Sequence, residues 1–349
     1  MSRKIKKVIR VGKVCIGGDN PVVIQSMAKV KTSSVGRVLK QISELENAGC
    51  QIVRLAVKDI NDARAFKKIR KQSSLPLVAD IHFDYKLALM AIDSGADKIR
   101  LNPGNIYKDN EVKEVISALK SAQVPLRIGV NSGSVKSRSQ KKLCVSDNLV
   151  SSAVSYVKKV EGFGFYNTII SLKASNVLDT VLAYRKMAKV SDYPLHLGVT
   201  ATGASYSGII KSSIALGSLL LEGIGDTIRV SLTDSPVREV YAAKAILESL
   251  GLGNFGPKII SCPTCGRCEV SLVKLVNDLQ RKILKLNLKP VKVALMGCVV
   301  NGPGEAKEAD LGIAFGKREG LFFRNGKPLK KVRSLECVDF LLKEMESKK

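Results

Sequence analysis

Short β-rich runs alternate with longer amphipathic stretches, and this alternation repeats eight times along the chain. The β-rich runs are dominated by Val, Ile and Leu, which is typical of strands buried on both faces of a parallel sheet. The predicted strands cover residues 22–27, 52–57, 77–82, 98–102, 126–131, 168–172, 195–200 and 227–232. The stretches between them have helical periodicity, and the predicted helices cover residues 35–48, 60–71, 85–94, 111–122, 148–163, 177–190, 208–222 and 237–250.

Eight β–α units within about 250 residues predict a closed (β/α)8 barrel of the TIM type rather than an open doubly wound sheet. No Walker loop or G-x-G-x-x-G turn follows the first strand, which weakens the nucleotide-binding alternative. A glycine-rich linker is predicted at 251–258. Cysteine-rich turns, a helix at 270–286, a strand at 291–296 and a helix at 334–346 follow it. We therefore expect an α/β protein with a barrel over residues 1–252 and a small α+β domain over 258–349.

Composition limits the partners and the compartment. The 349 residues carry a net charge of +26, which suits an anionic substrate, an acidic protein partner or nucleic acid. The cations are scattered and no nucleic-acid-binding motif accompanies them, so nucleic acid is the weakest of the three. No secretory signal and no apolar run of about 18 residues occurs, so we expect a cytoplasmic protein without a membrane span. Reducing conditions there argue against disulfides among the eight cysteines.

Polar residues cluster at the carboxyl ends of the predicted strands, where barrel enzymes carry their chemistry. The side chains at these ends are Arg54, Asp80, His82, Arg100, Asn102, Arg127, Asn131, Lys173, Arg229 and Ser231. One such cation could be a satisfied structural residue, but five on five strands are too costly to bury without a shared anionic partner. Because Arg recognises phosphate oxygens with two donors at once, the ring predicts a substrate with two phosphates.

Asp80 and His82 lie in the segment DIHFD at the end of the third strand. A lone histidine in a barrel strand is more often structural than catalytic. Its position two residues from Asp80 nevertheless makes it a candidate for proton transfer or hydrogen bonding. The other histidine, His196, begins the seventh strand away from the expected mouth, and we interpret it as structural.

The strongest chemical signal is a pair of cysteine motifs, CPTCGRC at 262–268 and GCVVNGPGE at 297–305. Cys262 and Cys265 lie on one turn and Cys298 follows a later strand, while Cys268 and Glu305 are both candidates for a fourth ligand. A structural zinc site is the alternative, but three cysteines within seven residues occur in ferredoxins that hold [4Fe–4S] clusters. We therefore predict that the C-terminal domain is an iron–sulfur domain.

These motifs resemble the 4-hydroxy-3-methylbut-2-enyl diphosphate synthase family of the methylerythritol phosphate route to isoprenoids. The resemblance rests on segments that follow one another through nearly the whole chain: PVVIQSM, LPLVADIHFDY, IRLNPGNI, RIGVNSGS, LKAS, LLLEGIGDTIRVSLT, ISCPTCGR and GCVVNGPGEA. The length is that of the compact bacterial form without an extra middle domain.

The resemblance implies an oxidoreductase that carries out reductive ring opening and dehydration of 2-C-methyl-D-erythritol 2,4-cyclodiphosphate. It implies a [4Fe–4S] cluster held by Cys262, Cys265 and Cys298, with Glu305 as an unusual carboxylate ligand, and it leaves Cys268 outside the set. It further implies a homodimer that takes electrons from flavodoxin or ferredoxin. The strand-end residues match the family's substrate pocket, with Asp80, His82 and Glu305 as the catalytic candidates.

One segment departs from the family pattern. The seventh strand of the family usually ends in T-E-A-G, whereas this chain has Thr200-Ala201-Thr202-Gly203. Ala201 thus stands where a glutamate is expected, and a general acid–base group typically contributes about 10²–10⁴-fold in rate. We expect a weakened synthase. The alternative function is a zinc-containing, pteroate-synthase-like barrel transferase that acts on another phosphate-bearing substrate.

Overall fold

The computed structural model describes residues 6–134, 144–284, 286, 288–299, 304 and 306–347. The chain divides into two compact units, residues 1–253 and 254–349. Among the described residues, no helix combines the length and apolarity needed to cross a membrane.

The first unit is a barrel of eight parallel strands, which confirms the predicted fold class. The strands are β3 (Val23–Met27), β4 (Ile52–Val57), β5 (Leu77–Ile81), β6 (Lys98–Leu101), β7 (Leu126–Asn131), β8 (Thr168–Lys173), β9 (His196–Leu197) and β10 (Thr227–Ile228). They are paired in the order β8-β7-β6-β5-β4-β3-β10-β9. A parallel bridge between Ile170 and Leu195 joins the two ends of this order and closes the barrel.

In the described part of this unit, eight α-helices surround the strands: α1 (Val35–Asn47), α2 (Ile60–Arg70), α3 (Tyr85–Asp93), α4 (Asp109–Ala122), α5 (Val145–Gly162), α6 (Val177–Val190), α7 (Ser205–Leu221) and α8 (Pro236–Ser249). Their apolar faces pack on the strands in one continuous core. Each fully buried Leu, Ile, Val or Phe side chain contributes about 1.5–3 kcal/mol by leaving water. The barrel is therefore a stiff frame on which strand-end side chains are held in place.

A hairpin that the sequence pattern did not predict covers the amino-terminal end of the barrel. It consists of β1 (Ile9–Val11) and β2 (Val14–Ile16), which pair antiparallel. Its apolar side chains pack with the first inward residues of four barrel strands, namely Val23, Ile52, Val78 and Ile169. The lower end of the barrel is thus filled with hydrocarbon.

The second unit is a five-stranded mixed sheet. Its strands are β11 (Lys258–Ser261), β12 (Lys292–Met296), β13 (Leu311–Phe315), β14 (Glu319–Arg324) and β15 (Lys327–Arg333), paired in that order. The first three are parallel and the last two antiparallel to their neighbours. Helices α9 (Leu272–Ile283) and α10 (Cys337–Glu346) pack on one face. Asn325 and Gly326, both at positive φ, form the tight β14–β15 turn.

Candidate active site

Strand alternation determines which side chains point into the barrel. Successive side chains on a strand face opposite sides, so residues two apart share a side. Because Ile52 and Val78 pack on the hairpin inside the lower end, Arg54 and Asp80 face the interior one layer higher. The same rule places Arg127, four residues before Asn131, on the inner side of β7. The polar layer thus lies directly above the apolar layer, and we call it the cation chamber.

Asp80 is the carboxylate at the centre of the chamber. Its Oδ1 lies 3.2 Å from Arg100 Nη1 and its Oδ2 lies 3.7 Å from Arg54 Nε. Burial alone would raise the pKa of Asp80, but Arg54 and Arg100, with Arg127 behind them, lower it to about 2. Asp80 is therefore ionised at neutral pH and orients the two arginines.

Arg100 is held in place by its neighbouring strand as well. Its Nη2 donates to the Gly129 carbonyl oxygen at 2.9 Å. A Cβ at position 129 would lie 2.5 Å from Arg100 Nε, so glycine is required there for the guanidinium to lie across β7. The RIGVN motif therefore supplies one cation, Arg127, and through Gly129 the space for another, Arg100.

Below Asp80 and Arg100 lie two buried cations, Lys98 and Arg127, whose charge is less well compensated. Gln25 Oε1 is 3.4 Å from Arg127 Nη1 and 3.5 Å from Lys98 Nζ, so one amide oxygen serves two buried cations. Arg127 Nε and Gln25 Nε2 are buried without a hydrogen-bond partner among the described residues. Burial lowers the pKa of Lys98 and that of Arg127 well below their ordinary values. Lys98 and Arg127 therefore have N–H donors that are available to bind an anion.

Lys173 completes the chamber on β8. Its Nζ lies 3.4 Å from His196 Nε2, and His196 Nδ1 lies 3.3 Å from Thr227 Oγ1. Burial, reinforced by the neighbouring cations, lowers the pKa of both Lys173 and His196. His196, which the sequence analysis interprets as structural, is therefore a neutral contact of a chamber lysine.

Arg229 is anchored by a carboxylate that sequence reasoning missed. Its Nε and Nη2 each lie 3.4 Å from Glu239 Oε2, and Lys29 Nζ lies 2.8 Å from Glu239 Oε1. Glu239 lies in the first turn of α8 and is 1% exposed. A glutamate on an otherwise apolar helix face was the available signal, because a buried carboxylate requires cations.

The neutral predicted residues lie at the rim of the chamber. Asn102 Oδ1 accepts hydrogen bonds from the Gly104 N–H at 3.1 Å and from Ser134 Oγ at 3.2 Å. The Asn131 carbonyl oxygen accepts a hydrogen bond from Ser134 Oγ. The Ser231 carbonyl accepts from Thr202 Oγ1. His82 Nε2 lies 4.0 Å from Asp80 Oδ2, and its Nδ1 is buried without a hydrogen-bond partner in the described part of the chain.

Positive charge exceeds negative charge in this chamber. Among the described residues, its cations are Arg54, Lys98, Arg100, Arg127, Lys173 and Arg229, and the carboxylates that form ion pairs with them are Asp80 and Glu239. Burial of cations beyond the available carboxylates is unfavourable without a further partner. An oxyanion with several oxygens, such as a phosphate or diphosphate, would supply that partner.

The second unit brings the predicted cysteine ligands to one edge of its sheet. Ser261 of β11 pairs with Leu295 of β12, so Cys262 and Cys298 follow neighbouring parallel strands at the same end. The Gly297 N–H donates to Cys262 Sγ at 3.3 Å. Cys265 is exposed on the turn that follows Cys262.

Cys268 packs beneath these turns. Its Sγ is 3.2 Å from the Val270 carbonyl oxygen, and a Cβ at position 297 would lie 2.5 Å from that sulfur. Gly297 therefore allows the two cysteine turns to meet. Thiols from two adjacent strand ends, one already accepting a backbone N–H, suit a thiolate-held iron–sulfur group. The described residues include no group of three or more side chains within reach of one metal ion, and Glu305 lies outside the described residues.

Position 201 lies on the loop after β9. Ala201 is exposed and has φ 52°, in the left-handed region that L residues seldom adopt. The Thr202 hydroxyl bonds to Ser231 across the next loop. The loop is thus tied to the strand-end side of β10 even without the expected glutamate.

Two family models match the chain. One, described as the GcpE TIM-barrel domain, matches residues 6–244, and the other, the GcpE protein C-terminal domain, matches residues 258–347. Curated relatives named 4-hydroxy-3-methylbut-2-en-1-yl diphosphate synthase (flavodoxin) include that of Fusobacterium nucleatum, 49% identical over 350 residues, covering 98% of each chain. That of Lawsonia intracellularis is 50% identical over 342 residues and covers 97% of this chain and 94% of the relative. These matches confirm the resemblance found from the motifs.

Solved structures share the barrel at low sequence identity. Dihydropteroate synthase from Stenotrophomonas maltophilia has a TM-score of 0.53 at 12% identity and covers 70% of this chain and 98% of that one. The sialic acid synthetase of Leptospira borgpetersenii has a TM-score of 0.51 at 13% identity and covers 81% and 99%. Likeness at this level shows the fold alone.

Proposed function

The chain belongs to the GcpE family, and from this premise we propose that it converts 2-C-methyl-D-erythritol 2,4-cyclodiphosphate to 4-hydroxy-3-methylbut-2-enyl diphosphate. Two electrons and two protons enter, one C–O bond to phosphate breaks to open the ring, and one hydroxyl leaves as water. The protein is then an oxidoreductase of the methylerythritol phosphate route to isoprenoids.

The observation that carries this proposal is the excess of buried cations in the barrel. A cyclic diphosphate presents two phosphate groups within one small ring, which matches cations that converge from several strands. Arg127 and Lys98 have one amide oxygen between them, and Arg127 Nε has no partner in the described chain. Phosphate oxygens would satisfy these donors and offset their burial.

The roles of the other chamber residues follow from their partners. Asp80 stays ionised and holds Arg54 and Arg100 at the angle at which they meet the phosphates. Asp80 is therefore an orienting group rather than a proton donor. His82 lies beside Asp80, and its Nδ1 has no hydrogen-bond partner among the described residues. We assign to it proton delivery to the departing hydroxyl. Asn102, Asn131 and Ser231 bind the remaining polar groups of the substrate.

The two electrons require a redox group. Cys262, Cys265 and Cys298, with Glu305 as the carboxylate ligand, would hold a [4Fe–4S] cluster, which supplies electrons singly and Lewis acidity. Gly297 supports this assignment, because its N–H donates to the Cys262 sulfur and hydrogen bonds of this kind tune cluster potentials.

The partners and compartment belong to the same proposal. The relatives' names specify flavodoxin, and a flavodoxin or ferredoxin is the electron donor we propose here. None of the eight cysteines forms a disulfide, which fits the reducing cytoplasm.

We also propose a homodimer. Helix α7 exposes Ile209, Ile210 and Ile214 and contains a single charged residue, Lys211. A second copy of a +26 chain can approach most readily through such an uncharged face. Sedimentation at low and high salt tests this, and a monomer under both conditions would contradict it.

The direct test is anaerobic turnover of the cyclodiphosphate by protein reconstituted with iron and sulfide, using dithionite-reduced methyl viologen. We expect the hydroxymethylbutenyl diphosphate product and about four irons and four acid-labile sulfides per chain. No product from protein with a complete cluster would overturn the proposed activity. Zinc without sulfide in the isolated protein would favour the barrel transferase instead.

A further inference from the structure

A surface hollow at one end of the second sheet combines apolar and basic side chains. Val299 and Leu321 contribute its apolar part, and Lys317, Arg318 and Lys331 contribute positive charge. We call it the strand-end hollow. Val299 is 55% exposed and Leu321 is 37% exposed, so both are available for contact.

The charge of the hollow is only partly compensated. Lys331 Nζ lies 3.4 Å from Glu319 Oε2, and this pair is solvent-exposed on both sides. Lys317 and Arg318 are exposed in the β13–β14 turn and form no ion pair with the described residues. A partner that covers this turn therefore meets two uncompensated cations.

The apolar surface continues beyond the hollow. The Ser334 N–H donates to the Arg318 carbonyl oxygen at 3.2 Å, which places Leu335 next to the basic turn. Leu335 is 98% exposed. An apolar contact area with a charged rim is the usual anatomy of a protein–protein docking site.

The position of the hollow relates it to the cysteines. Strands β11, β12 and β13 are parallel, so Cys262, Cys298 and the turn that contains Lys317 all follow carboxyl ends at the same edge of the sheet. Val299, which lines the hollow, is the chain neighbour of Cys298. Because electron transfer slows steeply with distance, a donor must approach at this edge.

We infer that an acidic electron-donating protein docks on the strand-end hollow, with its carboxylates on Lys317 and Arg318 and an apolar contact on Val299, Leu321 and Leu335. This inference rests on the proposed function, since it names where the electrons enter. A second copy of the chain fits less well, because it is itself strongly basic. The charge and the location both favour a small acidic redox protein.

The test reverses the charge of the basic turn with Lys317→Glu combined with Arg318→Glu. Isothermal titration with oxidised flavodoxin at low salt should show an affinity about 10-fold weaker or more, because rim charges control electrostatic steering. The KM for flavodoxin should rise by a similar factor. Turnover with dithionite-reduced methyl viologen should be unchanged, since that reductant needs no docking.

Two further variants make the result specific. Lys40→Glu combined with Lys113→Glu makes the same charge change on exposed sites of α1 and α4, and it should alter flavodoxin affinity by about two-fold or less through screened long-range effects. Lys317→Arg combined with Arg318→Lys keeps the charge and should bind like the parent. Thermal melting and iron content check that each variant is folded and loaded.

The possible contrary results have distinct meanings. Equal weakening in the hollow and barrel variants would show that net charge alone matters and overturn the docking site. Unchanged flavodoxin affinity in the hollow variant would place the donor elsewhere. Equal loss with both reductants would make the turn a structural element. No product with methyl viologen, while flavodoxin binding still responds to the turn, would leave the docking site standing and remove the proposed reaction.

Discussion

The barrel and the cysteine-bearing sheet carry their functional residues in opposite ways. In the barrel, Arg54, Asp80 and Arg127 lie within hydrogen-bonded strands; Asp80 and Arg127 are buried, and the side chain of Arg54 is 11% exposed. In the sheet domain, Cys265 and Cys298 lie on turns after strands end, and they are exposed or half-buried. An anion site benefits from cations that folding already holds rigidly in position. A redox site, in contrast, must remain accessible to an electron donor.

This contrast predicts that loss of a cysteine ligand affects one unit only. Cys298→Ser should reduce turnover to background and leave the protein without a complete complement of iron and sulfide, because the proposed cluster is held by thiolates. Substrate binding by the barrel, measured by calorimetry, should change little. Cys144→Ser, at an exposed thiol of the barrel unit, serves as the control and should retain both cluster and turnover. A cluster retained in full by the Cys298 variant would remove that ligand assignment.

A second prediction separates the binding role of the chamber cations from their effect on stability. Arg127→Met and Arg100→Met should each weaken substrate binding by about 10²–10³-fold, since a charged hydrogen bond contributes roughly 1.5–3 kcal/mol and more when buried. Their effects on the free energy of unfolding should differ. Arg100→Met removes the closest partner of buried Asp80 and should destabilise by about 3–5 kcal/mol.

Arg127→Met, in contrast, removes a buried cation whose one hydrogen-bond partner among the described residues is a shared amide oxygen. It should be neutral or should stabilise the folded barrel by about 1–4 kcal/mol. Urea unfolding followed by circular dichroism gives both values. Equal destabilisation by the two variants would show that Arg127 is compensated in the empty chamber, contrary to the excess of charge described above.

The acid range provides a third prediction. The pKa of Asp80 falls from 3.8 to about 2 on folding, so its ionised form stabilises the folded state above about pH 4. That contribution, about 2–3 kcal/mol, is lost as the pH falls from 4 toward 2. Asp80→Asn should therefore be less stable than the parent at pH 7, and the difference should shrink toward pH 2. Asp93→Asn, at an exposed pair with Lys67, should show a difference below about 1 kcal/mol at every pH.

The sequence predicted the barrel well because buried parallel strands give continuous apolar runs. Arg54 and Arg229 could be assigned to the strand ends from this pattern alone, without knowledge of their contacts. It placed Lys98 in a strand but did not recognise it as a chamber residue, although it lies two residues before Arg100. Glu239 was missed because its partners, Arg229 and Lys29, lie on other elements and are brought to it only by the fold.

Other features could not be predicted because tertiary contacts determine them. The β1–β2 hairpin has only three residues in each strand, and it is stabilised mainly by packing under the barrel. The ladders of β9 and β10 are two residues long, much shorter than the apolar runs at 195–200 and 227–232. Beyond them, a Cβ at Gly198 would lie 2.8 Å from the Arg229 carbonyl oxygen, so the chain is closely packed there.

The smallest expected effect on turnover is that of restoring a carboxyl group at position 201. Asp80 is held ionised at neutral pH, and the two carboxylate oxygens of Glu239 are in contact with Lys29 and Arg229. Ala201→Glu adds a carboxyl group on the loop after β9, where the family pattern has one. General acid catalysis can contribute about 10²–10⁴-fold. We expect a gain of only about 10-fold in kcat, because the proposed role of His82 already provides a proton and position 201 keeps its left-handed φ of 52°.

The matched control for that gain is Ala204→Glu, which adds the same charge three residues along, at the exposed residue that precedes α7. It should leave kcat unchanged. Ala201→Gln tests whether the new group acts as an acid, since glutamine keeps the shape but cannot donate a proton in the same way. If the glutamate variant turns over no faster than the glutamine variant, proton supply does not limit this barrel. His82 would then be sufficient, and the alanine would be a tolerated replacement rather than a deficit.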